Sequence, residues 1–161
     1  MRAGDMWAAG SLPLHVTVLS NFHVDDVSVP ELIEKISAIA STTPVLETSG
    51  DALAWFGPNR DIAVTTLLMS APLGHLHHRL LEAASALGAK WVNPLFNAEG
   101  YRPHATRTIE GEFVTRGEPV ILDSLVVLDC STARRRALSL SPLAALQKSQ
   151  ADGGTVNVVA E

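Results

Sequence analysis

One cysteine, Cys130, occurs in the whole chain. No intrachain disulfide can form, and a cytoplasmic setting is the expectation. Cys130 closes an apolar run, which suits a small buried side chain better than a nucleophile. No apolar run reaches bilayer-spanning length, so no membrane contact is expected. The first residues lack a charged head followed by an apolar stretch, so no signal peptide is read there. Basic charge is scarce: 12 Lys and Arg stand against 17 Asp and Glu, a net charge of −5. Proteins that grip long nucleic acids carry basic surfaces, so extended RNA or DNA binding is not expected. A small phosphorylated nucleotide or an RNA terminus remains compatible with a local patch of arginines. Linkers and low-complexity tracts are also missing.

What is present suits one globular domain over residues 1–161: 47% of residues are hydrophobic and 18% charged. Residues 12–20 alternate as a strand, with Leu14, Val16 and Val18 on one face and His15, Thr17 and Leu19 on the other. Ser28-Val29-Pro30-Glu31 reads as a capping box opening a helix with Leu32, Ile33, Ile36, Ile39 and Ala40 at helical spacing, ending near Ser41–Pro44. Strands over about 45–56 and 61–70 flank turn residues Gly57–Arg60, a hairpin. A second helix over 72–87 carries Leu73, Leu76, Leu80, Ala84 and Leu87, with Gly88 as its stop. Strands are expected over 103–109, 119–130 and 155–159, with a short helix over 141–149. Each of two similar halves has a strand, a helix and a hairpin-like pair, which points to two lobes in one α+β domain.

The informative feature is a pattern written twice: Leu14-His15-Val16-Thr17-Val18 and Pro103-His104-Ala105-Thr106-Arg107. Residues two apart on a strand share a face, so each copy offers an imidazole beside a hydroxyl. Two copies facing each other supply an acid, a base and two hydroxyl donors. Cleavage of a phosphodiester needs a base to take a proton from water and an acid to protonate the leaving oxygen. Histidine suits both tasks because it titrates near neutral pH. Thr17 and Thr106 offer donors to phosphoryl oxygens that gain charge in the transition state.

Other residues have plainer readings. His75, His77 and His78 read as a solvated face at a helix start. No carboxylate or cysteine joins them at ligand spacing, so neither a metal nor a cofactor is expected. His23 falls in a loop. Arg134-Arg135-Arg136 reads as a solvated helix face. Tyr101 and Arg102, just before the second motif, are candidate substrate-binding residues, an aromatic to stack on a base and a guanidinium to pair with phosphate. Trp55 and Phe56 are assigned to the core.

The two motifs, with the contexts Leu14–Leu19 and Tyr101–Thr106 and the later Leu122-Asp123-Ser124-Leu125-Val126-Val127-Leu128, resemble the 2H phosphoesterase superfamily, in particular its 2′-5′ RNA ligase and cyclic phosphodiesterase branch. The resemblance covers about residues 12–131. It implies a bilobal α+β fold: two antiparallel sheets related by a pseudo-twofold axis around a central cleft, helices outside. It implies hydrolysis of 2′,3′-cyclic phosphates or 2′-5′ linkages, with His15, Thr17, His104 and Thr106 as the catalytic set. Degradation of cyclic oligonucleotide signals is an alternative, and a non-catalytic nucleotide or RNA-end binding module is another. Two departures stand out. Family members begin with a strand and helix before the first motif, and too few residues precede His15 for both, so the tail from about 141 to 159 is the candidate replacement. Arg107 stands where an apolar residue is usual: either the strand ends there with the side chain snorkelling outward, or the register changes beyond Thr106.

Overall fold

The computed structural model describes residues 1–8 and 10–145, and the backbone of 155–160. Its elements in chain order are β1 (Met6–Ala8), β2 (His15–Leu19), β3 (Phe22–His23), α1 (Val29–Thr42), β4 (Leu46–Phe56), β5 (Ile62–Leu67), α2 (Ala71–Ala86), β6 (Lys90–Trp91), β7 (His104–Thr106), β8 (Pro119–Asp129), β9 (Arg134–Pro142) and β10 (Thr155–Ala160). The class is α+β, with two α-helices and mostly antiparallel pairing among the described residues.

Eight strands form one sheet in the order β1-β9-β8-β10-β2-β7-β5-β4, and β4 also pairs with β8. That last pairing closes a circuit through β8, β10, β2, β7, β5 and β4. The two separate sheets of the expectation are therefore replaced by one large sheet and a two-stranded ribbon of β3 and β6. β8 makes this possible by changing partners along one edge: Leu122 opposes Leu46 of β4, and Ser124 opposes Pro142 of β9. Its apolar run buries both faces. Val120, Leu122, Leu125 and Val127 join the main core, while Val126 and Leu128 join a smaller cluster with Leu12 and Ala137. A strand buried on both sides reads as a continuous hydrophobic run.

Both helices pack on one face of the sheet. Leu32, Ile36, Ile39 and Ala40 of α1 and Leu73, Leu76, Leu80 and Ala84 of α2 share a core with Val16, Val18 and Ala105. Each of the three α2 leucines is 1% exposed, so each contributes roughly 1.5–3 kcal/mol by leaving water. The two helix starts differ. Ser70 caps α2 by accepting from the Leu73 amide at 3.3 Å. Ser28 precedes α1 but makes no side-chain cap bond, because a 3₁₀ turn over Asp26–Ser28 holds it in helical geometry; the capping box does not form.

The tail divides too. β10 lies between β2 and β8, parallel to both, beside the first motif strand. The expected helix over 141–149 is not found where it is described: residues 141–142 end β9, and Ala144 bridges to Pro44. Residues 146–149 lie outside the described residues. Arg134–Arg136 lie on strand β9, not on a helix, and pair with β1. The guanidinium of Arg135 donates to the Thr132 carbonyl at 2.8 Å. His23 lies in β3, opposite Lys90, and not in a loop. β7 does end at Thr106, and Arg107 turns out to solvent with its guanidinium 5.4 Å from the Phe113 ring centroid.

Gly50 begins the irregular stretch of β4, where pairing with β5 shifts between Gly50 and Leu53. A Cβ there would collide with the Thr115 carbonyl. Gly50→Ala is expected to lower the unfolding free energy by about 1–3 kcal/mol, the range for overpacking, measured as a shift of the urea midpoint at constant m-value.

Candidate functional site

Pairing of β2 with β7 builds the site. The strands are antiparallel, with Val16 opposite Ala105. One step either way, the register sets His15 opposite Thr106 and Thr17 opposite His104. Val16 and Ala105 face the helices. By strand alternation His15, Thr17, His104 and Thr106 all face the other way. The histidines are therefore diagonal neighbours, about 7–8 Å apart at the backbone, within one face of one sheet.

The two imidazoles are held identically. His15 Nδ1 lies 2.7 Å from the Pro13 carbonyl, and His104 Nδ1 lies 2.8 Å from the Arg102 carbonyl, each two residues upstream. A carbonyl only accepts, so both Nδ1 atoms carry hydrogen. Nε2 is then the nitrogen that gains or loses a proton in each ring. His15, flanked by β10 and β7, is 8% exposed; His104, Thr17 and Thr106 are half-buried.

β5 extends this face. Thr66 opposes His104 and Val64 opposes Thr106. The Thr66 hydroxyl donates to the Ala52 carbonyl at 3.0 Å, which ties it to the irregular stretch of β4. Phe56 opposes Ile62 at the hairpin end, and its ring centroid lies 4.8 Å from that of His104. Above Phe56 sits Arg102, its guanidinium 5.5 Å from the ring centroid. This is a cation–π stack next to an imidazole. Phe56 is thus a site-face residue, not the core residue expected. Trp55, on the alternate face, is 55% exposed, which also overturns its core assignment. The hairpin register was readable in sequence; that β5 then pairs with β7 was not, and that pairing delivers Phe56 to His104.

Tyr101 and Arg102 part ways. Arg102 is exposed beside Phe56. Tyr101 is 8% exposed, and its ring is stacked on His77 at 4.0 Å and 4°. A ring so enclosed offers no open face to a base. Its hydroxyl donates to the Thr17 carbonyl at 3.4 Å, and burial pushes the phenol well above its ordinary value. His77 is the clearest miss. It reads as solvated, yet it is 1% exposed, while His75 and His78 are exposed as expected. The signal was available: His77 falls four residues after Leu73 and three before Leu80, on the buried stripe of α2. Its Nδ1–H donates to the Val18 carbonyl at 2.7 Å, and its Nε2 accepts from the Ala98 amide at 2.9 Å. Among the described residues no three His, Cys, Asp or Glu side chains group as a metal site, and no helix is long and apolar enough to cross a membrane.

These features define a class: a protein with two histidine–threonine strands paired on the face of a sheet opposite its helices. A family model described as the 2′-5′ RNA ligase superfamily matches residues 3–110 of the 161, a stretch that contains both motifs. The chain belongs to the 2′-5′ RNA ligase superfamily. No curated protein and no solved structure matches it.

Burial holds the pKa of His77 below its usual value of 6.5, against the opposing pull of the Val18 carbonyl. The unfolded chain therefore binds the proton more readily than the folded one. The stabilisation is complete above 6.5 and is lost as pH falls below that value through the lower folded pKa. Urea midpoints of the parent protein should fall as pH is lowered from neutral toward 5, with a shallower slope in His77→Gln; an equal slope in both would assign the loss to other groups.

Proposed function

We propose that the protein is a phosphodiesterase that opens a 2′,3′-cyclic phosphate, or cuts a 2′-5′ linkage, on a nucleotide or RNA end by two-histidine acid–base catalysis without a metal. The observation that carries this reading is the shared face: a single antiparallel register sets both imidazoles and both threonines side by side. His15 and His104 carry the proton transfers through Nε2, one neutral ring accepting the proton of the attacking water and one charged ring protonating the leaving ribose oxygen. The water oxygen forms the new bond to phosphorus as the bond to the leaving oxygen breaks. Thr17 and Thr106 donate to the phosphoryl oxygens.

Arg102 and Phe56 form the recognition edge of this site. The guanidinium pairs with a phosphate and the ring packs against the sugar or base beside His104. One such arginine on an acidic protein suits a short substrate better than a long strand. The expected bilobal symmetry and cleft belong to the same proposal: the two motif segments are already related by the local twofold of an antiparallel pair, and each imidazole is bound to the carbonyl two residues upstream.

Assay of 2′,3′-cyclic mononucleotides, 2′-5′ and 3′-5′ dinucleotides and cyclic dinucleotides, with phosphorus NMR of the products, tests the reading. Turnover of the first or second group is expected, with a bell-shaped dependence on pH and survival in a chelator. His15→Ala and His104→Ala should each cost at least about a hundredfold in kcat, the low end for general acid–base groups. Ligand binding without turnover in the parent protein would replace the enzyme with a binding module; turnover of cyclic dinucleotides alone would move the substrate to that class.

Selectivity has its own test. Arg102→Ala should raise KM for phosphorylated substrates far more than it lowers kcat, because it removes binding common to ground and transition states; steady-state kinetics on the preferred substrate would show it.

A further inference from the structure

Two strands that carry the paired imidazoles touch through a short bridge. Among the described residues, Val16 and Ala105 are their one recorded residue pair, and β7 is only three residues long. β5 and β10 flank the pair, and contacts from the helix side add to what keeps the shoulders of the two motifs from sliding. We propose that His77 is a positioning residue that locks β2 to the segment leading into β7, and so sets the offset between His15 and His104; the catalytic part of this inference rests on the function proposed above.

Four contacts carry it. The Val18 carbonyl, which accepts from His77 Nδ1 at 2.7 Å, belongs to the residue after Thr17. The Ala98 amide, which donates to Nε2 at 2.9 Å, opens the turn that runs through Tyr101 to Pro103 and His104. Tyr101 stacks on the imidazole at 4.0 Å and returns its hydroxyl to the Thr17 carbonyl at 3.4 Å. One buried ring from α2 thus ties the end of the first motif strand to the approach of the second, twice over. Both bonds together require the neutral ring with hydrogen on Nδ1. The titratable groups against it are His78, whose ring centroid is 5.6 Å away, and Tyr101.

A role in packing alone does not explain the residue. Leu73, Leu76 and Leu80 fill the same stripe of α2 with apolar bulk. A buried imidazole carries a desolvation cost that leucine would not. That cost is offset only where both nitrogens find partners, and here the partners sit on two different chain segments. Misplacement of a catalytic group by about 1 Å can cost on the order of a hundredfold in rate, so a brace on this spacing acts on chemistry more than on binding.

The experiment uses His77→Gln, which keeps an acceptor toward Ala98; His77→Asn, which keeps a donor toward Val18; His77→Leu, which keeps neither; and Tyr101→Phe, which keeps the stacking and loses the link to Thr17. Circular dichroism and melting curves select temperatures at which each variant is fully folded. Under those conditions kcat on a 2′,3′-cyclic mononucleotide should fall about tenfold or more in the Leu variant, less in Gln and Asn, and least in Tyr101→Phe, with KM moving less than kcat. The Cε1–Hε1 NMR signals of His15 and His104 should shift in the same order, and this readout needs no turnover. Folded His77 variants with parental kcat and unmoved His15 and His104 signals overturn the proposal while leaving the function intact. Shifted signals in a parent protein that turns over no substrate leave the brace standing and remove the function. Should every His77 variant unfold, Tyr101→Phe decides: parental kcat and signals overturn the brace, and a lowered kcat with shifted signals supports it.

Discussion

The register of β2 against β7 is the constraint on which the rest of the structure depends. A pair of strands has only two ways to present alternating side chains, and a slip of one residue exchanges them. Here Val16 and Ala105 sit at 0% and 1% exposure in the core shared with both helices. Turning them outward would place His15, Thr17, His104 and Thr106 in that core without polar partners. Hydrophobic burial of two small side chains thus determines where four polar ones stand. The carbonyls of Pro13 and Arg102 then set the tautomer of each ring, so backbone atoms contribute directly to the geometry of the site.

That register is held from both sides. β5 runs along β7 with three residue pairs, from Val64 opposite Thr106 to Thr66 opposite His104. On the far side of β2, β10 pairs its backbone with residues from His15 onward, in parallel. β10 follows β9 in the sequence and is inserted between β2 and β8. β1, the strand that does precede His15, lies instead at the edge of the sheet against β9. The place beside the first histidine is filled by the tail, and the match to the family model, which stops at residue 110, does not include it.

Much of this was legible from residues alone, for a physical reason that differs by element. Both helices were readable because their apolar stripes repeat at the helical period, and the β4–β5 hairpin because glycine and proline punctuate its turn. The motif strands were readable because histidine and threonine alternate with buried aliphatics. What escaped depends on long-range pairing. Nothing local says that β8 will divide one edge between β4 and β9, or that Phe56 will be brought to His104 by the pairing of β5 with the distant strand β7. Trp55 and Phe56 are both large and apolar, and hydrophobicity assigns both to the core; only alternation within the assembled sheet separates them. His77 is a different kind of miss. Its position on the stripe of α2 was visible, but its neighbours His75 and His78 drew it into a polar cluster. Composition outweighed period where period was the better guide.

The buried histidine and the two motif histidines show how one residue type serves opposite ends. In each of them Nδ1–H is committed to a backbone carbonyl, of Val18, Pro13 or Arg102. The difference lies in where each ring stands. In His77 the Nε2 lone pair is taken by the Ala98 amide and the ring is enclosed in the core, so a proton there would break a bond as well as enter an apolar site. His15 and His104 stand instead on the sheet face turned from the helices, in register with Thr106 and Thr17, and His104 also meets the Phe56 ring. Burial that disfavours a proton on His77 is supplied by the same helix whose leucines pack against Val16 and Val18. The packing that encloses one imidazole is thus continuous with the packing that turns the other two to the opposite face of the sheet.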